Sequence, residues 1–134
     1  MKEIIKNILK TTNKNSAPTE QLYFELQEKI DFEIDNDYLE FIKEHNGAEG
    51  FLNENSFIQL WAIEDILALN PYYEDVKECE NLFFFGSNGS NTGFAFNKID
   101  GIIVSINFLD ILDREPDFIS KTFESFLVVM QSIQ

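Results

Sequence analysis

The sequence predicts a single α+β domain: a mainly antiparallel or mixed sheet flanked by N-terminal helices and a closing C-terminal helix. Three observations lead there. The chain has 134 residues, the size of one domain with one core. Apolar residues recur at spacings of three and four near both ends, the period of an amphipathic helix. The stretch between them holds short aromatic and β-branched runs punctuated by Gly and Asn, the pattern of strands and tight turns.

Taken in order, Ile4, Ile5, Ile8 and Leu9 share one face and Lys2, Lys6 and Lys10 another, which predicts a short amphipathic helix over residues 2–10. Residues 11–18 (TTNKNSAP) are polar and aperiodic and read as a flexible connector. From Thr19 the stripe Leu22, Leu26 and Ile30 predicts a second helix, started by Ser16 or Thr19 and ending near Asp31. Asp35 can cap a third, which turns Tyr38, Leu39, Phe41 and Ile42 inward and stops at Asn46-Gly47, a pair suited to a left-handed end.

Residues 57–61 (FIQLW) have the composition of a strand with a buried face. Residues 63–70 turn helical until Pro71, after which Tyr72, Tyr73, Glu74 and Asp75 form an exposed aromatic and acidic loop. Three further strands are expected at 82–85, 94–96 and 102–106, joined by a glycine loop over 86–93 and a turn over 98–101. Links that short favour antiparallel hairpins. Phe123, Phe126, Leu127, Met130 and Ile133 then place a closing helix against the sheet.

Charge is the strongest compositional signal. The chain carries 24 acidic and 10 basic residues, net −14. Four of the lysines lie in the first 14 residues, so residues 15–134 hold 23 acidic against 6 basic side chains, net −17. A field of that sign repels phosphate backbones, whose partners displace counterions with Lys and Arg. Direct nucleic-acid binding is therefore not expected. Basic proteins are attracted instead. The longest apolar runs have five residues, as at 126–130, far short of the roughly 20 of a membrane-spanning helix. One cysteine and no secretory leader pattern place the expected home in the cytoplasm.

Catalytic constellations are thin. His45 is the lone histidine and sits at a helix end, where a cation suits the helix dipole. Cys79 lies between Glu78 and Glu80, neighbours that raise a thiol pKa and oppose nucleophilic use. One Cys and one His, 34 positions apart, do not make a zinc site, and the calcium-loop pattern is absent. Carboxylate pairs arise by chance among so many acids. The glycine loop lacks the spacing and the following helix of a phosphate loop. No enzyme activity, cofactor or metal is expected.

The segments DYLEFIKEHNGAEGF (37–51), FIQLWAIEDI (57–66), LNPYY (69–73), LFFFGSNGSNTGFAFN (82–97) and TFESFL (122–127), in that order, resemble the SUKH superfamily. That superfamily includes Smi/Knr-type regulators of yeast cell-wall assembly and bacterial immunity proteins. The resemblance covers residues 19–127. Its most specific pieces are Asn46-Gly47, Leu60-Trp61 with Glu64, and Phe85-Gly86-Ser87 leading to Phe94-Ala95-Phe96. The chain departs from the family in having Ile34-Asp35 where Leu-Pro is frequent, and Asn88, Asn91 and Asn97 around a loop that is often acidic.

The resemblance implies a protein without catalytic machinery that binds and neutralises a cognate toxin, a nuclease or other basic domain. The alternative it implies is a regulatory scaffold that recruits signalling or envelope-assembly partners. The expected partner contacts are Glu49, Asn53, Glu54 and Asn55 in a first loop, Tyr72, Tyr73, Glu74 and Asp75 in a second, and Ser87, Asn88, Ser90, Asn91 and Thr92 in a third. Aromatics would anchor the partner and acids would steer it.

Overall fold

A computed structural model describes residues 1–112 and 115–134. The elements among them are α1 (Glu3–Ile8), β1 (Asn13–Lys14), α2 (Glu20–Lys29), α3 (Asn36–Glu44), β2 (Ala48–Asn53), β3 (Ser56–Leu60), α4 (Ile63–Leu69), β4 (Leu82–Ser87), β5 (Thr92–Asn97), β6 (Ile103–Asn107), β7 (Asp117–Ser120) and α5 (Phe123–Gln131). The strands form one sheet in the order β1-β2-β3-β4-β5-β6-β7. Every neighbouring pair is antiparallel. The α+β class stands, and the expected sheet resolves to the antiparallel form.

Three strands go beyond the sequence reading. The stretch read as a flexible connector at 11–18 is tied down. Asn13 and Lys14 pair with Glu49 and Ala48, Asn15 N donates to Gly47 O at 3.0 Å and Asn46 N to Ser16 O at 2.9 Å. A two-residue edge strand is too short to show a period, so its polar composition gave no sign of it. β2 was read as a loop because Gly50 and the Asn-Glu-Asn stretch break its alternation, yet Leu52 points into the core and Phe51 away from it. β7 is a short edge strand with one buried residue, Ser120.

The helices start where capping chemistry allows. Thr19, not Ser16, caps α2, its Oγ1 accepting from Leu22 N at 3.1 Å. Thr122 and Ser125 form a reciprocal capping box at α5. Asp35 serves two helices. Its Oδ1 accepts from Asp37 N at 2.9 Å in the first turn of α3, and its Oδ2 from Phe123 N at 2.7 Å in the first turn of α5. The first four N–H groups of a helix have no partner within it, so one carboxylate here satisfies donors of two helices, the second of them 88 positions along the chain from Asp35.

At the far end of α3, His45 is the C-cap, with its Nδ1 3.1 Å from Asn15 O. Gly47, not Asn46, takes the left-handed conformation, at φ 91°. A Cβ on Gly47 would lie 2.7 Å from Leu60 O, so only glycine lets β2 leave α3 beside β3. Asn46 instead reaches across to start α4. Its Oδ1 accepts from Ile63 N at 2.7 Å and its Nδ2 donates to Glu64 at 2.7 Å.

Both faces of the sheet are apolar. Phe83 and Phe85 of β4, Phe94 and Phe96 of β5 and Ile103 of β6 face the helices, joining Phe41, Ile63, Phe123 and Phe126 in the main core. The alternate residues Leu82, Phe84, Ala95, Val104 and Ile106 face the other way and form a smaller cluster with Cys79, covered by Tyr73, Val76, Phe108 and Ile111. Period-two alternation turns the Phe83-Phe84-Phe85 run into anchors on both sides. Tyr38 sits at the centre of the main core, edge-on to Phe85, Phe96 and Phe123 with centroids 5.2–5.4 Å apart. Such pairs contribute about 0.5–1.5 kcal/mol beyond their buried area.

The Tyr38 hydroxyl is buried without a hydrogen-bond partner among the described residues, and burial pushes its pKa well above the ordinary phenol value. Replacing Tyr38 with Phe removes a desolvated group that makes no bond, so Tyr38→Phe is expected to hold or raise stability, by up to about 1–3 kcal/mol in urea unfolding. Asp35→Ala leaves donors of two helices unsatisfied and is expected to lower stability by about 2 kcal/mol in the same measurement.

Candidate protein-docking face

The three predicted contact stretches do not form one surface. Two of them meet at one end of the sheet. The β2–β3 turn, with Glu54 and Asn55 at its tip, lies beside the β4–β5 loop at 88–91, close enough that a Cβ on Gly89 would fall 2.9 Å from the Phe57 ring. Both stretches line a groove of about 630 Å³, together with Phe94 of β5, Phe118 and Ile119 of β7 and Val129, Met130 and Ile133 at the end of α5.

Within those two stretches, residues divide between holding the fold and facing solvent. Glu49 is a strand residue rather than a loop residue, and its carboxylate accepts from Gln59 Nε2 at 3.2 Å. Asn53 is also on β2. Its Nδ2 donates to Gln131 O and, at 2.7 Å, to Ile133 O, fastening the strand to the end of α5. Ser87 is buried, donating to Gln59 Oε1 at 2.9 Å and accepting from Gly89 N at 3.2 Å. Asn88 braces the loop by accepting from Ser90 N and Thr92 N. Thr92 pairs with Asn107. The carbonyl of Asn91 accepts from Phe108 N at 2.7 Å. Glu54, Asn55, Ser90 and Asn91 are exposed.

The third stretch lies elsewhere. α4 gives way to a 3-10 segment, Asn70–Tyr73, with Pro71 in its first turn. The Asn70 side chain exchanges hydrogen bonds with both backbone groups of Phe84. Tyr73 is therefore an anchor of the fold: it stacks on Phe108 at 5.5 Å and packs against Phe84 at 4.8 Å. Tyr72 is 77% exposed, and Glu74 and Asp75 face solvent beside it. None of the four lines the groove.

The groove contains residues that the sequence reading passed over. Phe51 and Phe57 stack edge to face at 5.0 Å, and Phe118, Val129 and Ile133 are exposed beside them. One signal was available. Five consecutive apolar residues at 126–130 span more than one full turn of helix, so the core cannot take them all, and Val128 and Val129 are the pair left outside.

A second, separate recess of about 360 Å³ is lined by Asn13, Asn15, Glu49, Gln59, Trp61 and Asp65. Glu64, the acid that follows Trp61 in the resemblance, is engaged by Asn46. Among the described residues no three His, Cys, Asp or Glu side chains converge as a metal site requires. No helix of the described residues is long and apolar enough to cross a membrane.

With this geometry in view, comparison with known families is decisive on one point. The profile of the SMI1 / KNR4 family (SUKH-1) matches residues 17–128. The chain belongs to the SMI1 / KNR4 family. The matched span runs from just before α2 into α5 and so includes the whole sheet but β1. Within this SUKH-1 member the motif residues have assignable work: Asn46 caps α4, Gly47 allows the close passage to β3, and Gly86 brings β4 against β3, where a Cβ would meet Gln59 O at 2.5 Å. No curated protein sequence matches the chain.

Cys79 is buried in the smaller cluster. Burial first, and the Glu78 carboxylate second, push its thiol pKa from 9 up to about 11. The folded protein is expected to resist iodoacetamide at pH 8 and to react once unfolded in urea, as read by intact mass. Because the folded state holds this proton more tightly, the thiol's contribution to stability is present in full below pH 9 and is lost as pH rises through about 11. Asn53→Ala is expected to speed amide exchange at the end of α5 several-fold, with little change elsewhere.

Proposed function

We propose that this protein is an immunity protein: it binds a cognate basic toxin, such as a nuclease domain, and blocks it by covering its working surface. The observation that carries this reading is the net charge of the chain, −14, in a family that points to work through protein–protein contacts. Opposite charge accelerates encounter and fixes orientation. In this reading the chain performs no chemistry of its own, and its one thiol, made less reactive by burial, fits that role.

A regulatory scaffold of the Smi/Knr type is the second reading. It is supported by the two recesses, at Trp61 and at the β2–β3 turn, which share no lining residue and could serve separate partners. Co-expression with toxins encoded beside its gene separates the two. Rescue of growth from one basic toxin partner supports immunity. Absence of any rescue, with several housekeeping proteins recovered from the native cell, supports the scaffold.

For the complex with a rescued toxin, the association rate constant is expected to fall by about tenfold or more between 50 and 500 mM salt, with a smaller change in the dissociation rate, in stopped-flow or surface-binding kinetics. An association rate indifferent to salt would remove charge as the basis of recognition.

A further inference from the structure

The groove at the end of the sheet differs in chemistry from the acidic surface around it. Phe51 and Phe118 stand 57% and 59% exposed at its walls, with Val129 and Ile133 also open to solvent. Isolated exposed apolar residues are ordinary, whereas several large ones gathered round one recess mark a contact surface. The walls are also held in place. Asn53 ties β2 to the end of α5, Asn88 braces the neighbouring loop, and Phe94 of the floor is packed edge-on to Phe126 at 5.0 Å. A recess fixed in advance loses little conformational entropy when it is filled.

Its electrostatics select the occupant. Among the described residues, Glu54 is the one charged residue that lines the groove, and no Lys or Arg does. α5 ends here with no basic residue in its last turn, and its last carbonyls already accept hydrogen bonds from Asn53, Ser132 and Ile133. We propose that this groove is the docking site for a partner-protein segment that presents an apolar side chain flanked by Lys or Arg. The apolar group fills the space between Phe51, Phe118 and Val129, and the cation meets Glu54. A second copy of this chain is a poor occupant, because it brings a further net −14 to a rim that is already acidic. The proposal rests on the reading of the protein as a binder of basic proteins and adds the place and chemistry of the contact.

The test uses three fluorescein-labelled 15-residue helical peptides: one with a Leu face and Lys elsewhere, one with the same Leu face and Glu elsewhere, and one with Ser in place of Leu and Lys elsewhere. Saturable binding of the Leu/Lys peptide in fluorescence anisotropy is expected, with none for Leu/Glu and about tenfold weaker binding for Ser/Lys. Val129→Asn and Phe118→Ser are each expected to weaken the Leu/Lys peptide about tenfold. Val128→Asn, on the same helix but outside the groove, should change it less than about twofold. Circular dichroism checks that all three variants are folded.

Equal loss in Val129→Asn and Val128→Asn, equal binding of Leu/Lys and Ser/Lys peptides, or no saturable binding would each overturn the proposal. The co-expression assay keeps it distinct from the wider reading. Full rescue by both Val129→Asn and Phe118→Ser, where the native chain also rescues, refutes the groove and leaves immunity standing. Groove-specific peptide binding without rescue from any neighbouring toxin refutes immunity and leaves the groove standing.

Discussion

The β4–β5 pair carries aromatic side chains on both faces, and the rest of the molecule is arranged to cover them. Phe83, Phe85, Phe94 and Phe96 point to the helices, and Phe84 points to the opposite side. A strand buried on both faces cannot lie at a half-solvated surface, so one side of the sheet needs α1, α3 and α5 while the other needs Tyr73, Val76, Phe108 and Ile111. This requirement explains why a segment that reads as an exposed loop after Pro71 is spent on packing. Gly86, with no Cβ, lets β4 sit close to β3.

With both faces occupied, the places left for recognition are the ends and edges of the sheet. The β2–β3 turn, the glycine loop, β7 and the C-terminal end of α5 converge at one such end. The polar residues there do most of the bracing: Asn53, Ser87 and Asn88 are consumed by the fold. What remains available is largely apolar surface, with Glu54 and Asn55 at the turn beside it. The overall negative field and this local apolar recess then have different physical roles, the first acting over about a Debye length on the rate of encounter and the second acting at contact on the lifetime of a complex.

Much of the fold was legible in the sequence because it rests on long periodic signals. The stripes of α2, α3 and α5 and the alternation in β4, β5 and β6 were read within a few residues of where they lie. Asp35 was readable as a cap for α3, but its second bond to Phe123 N joins positions 88 apart, which no local pattern encodes. β1 and β7 were missed because strands of two and four residues at a sheet edge carry almost no periodic signal. The contact residues were harder. Choosing polar and aromatic residues in loops reached Glu54 and Asn55, which line the groove, yet Tyr73 and Ser87 are structural for reasons that appear only in three dimensions. Phe51 and Phe118, two of the four aromatic residues that line the groove, sit on strands, where the same composition reads as core.

The most direct measurement of the central claim is a hydrogen-exchange footprint of the protein bound to a toxin that it neutralises. Protection is predicted at 51–57, 88–91, 117–119 and 129–133, the stretches that surround the groove, with residues 82–86 and 95–97 unchanged. Protection confined to the recess around Trp61 and Asp65, or spread evenly over the acidic surface, would contradict it.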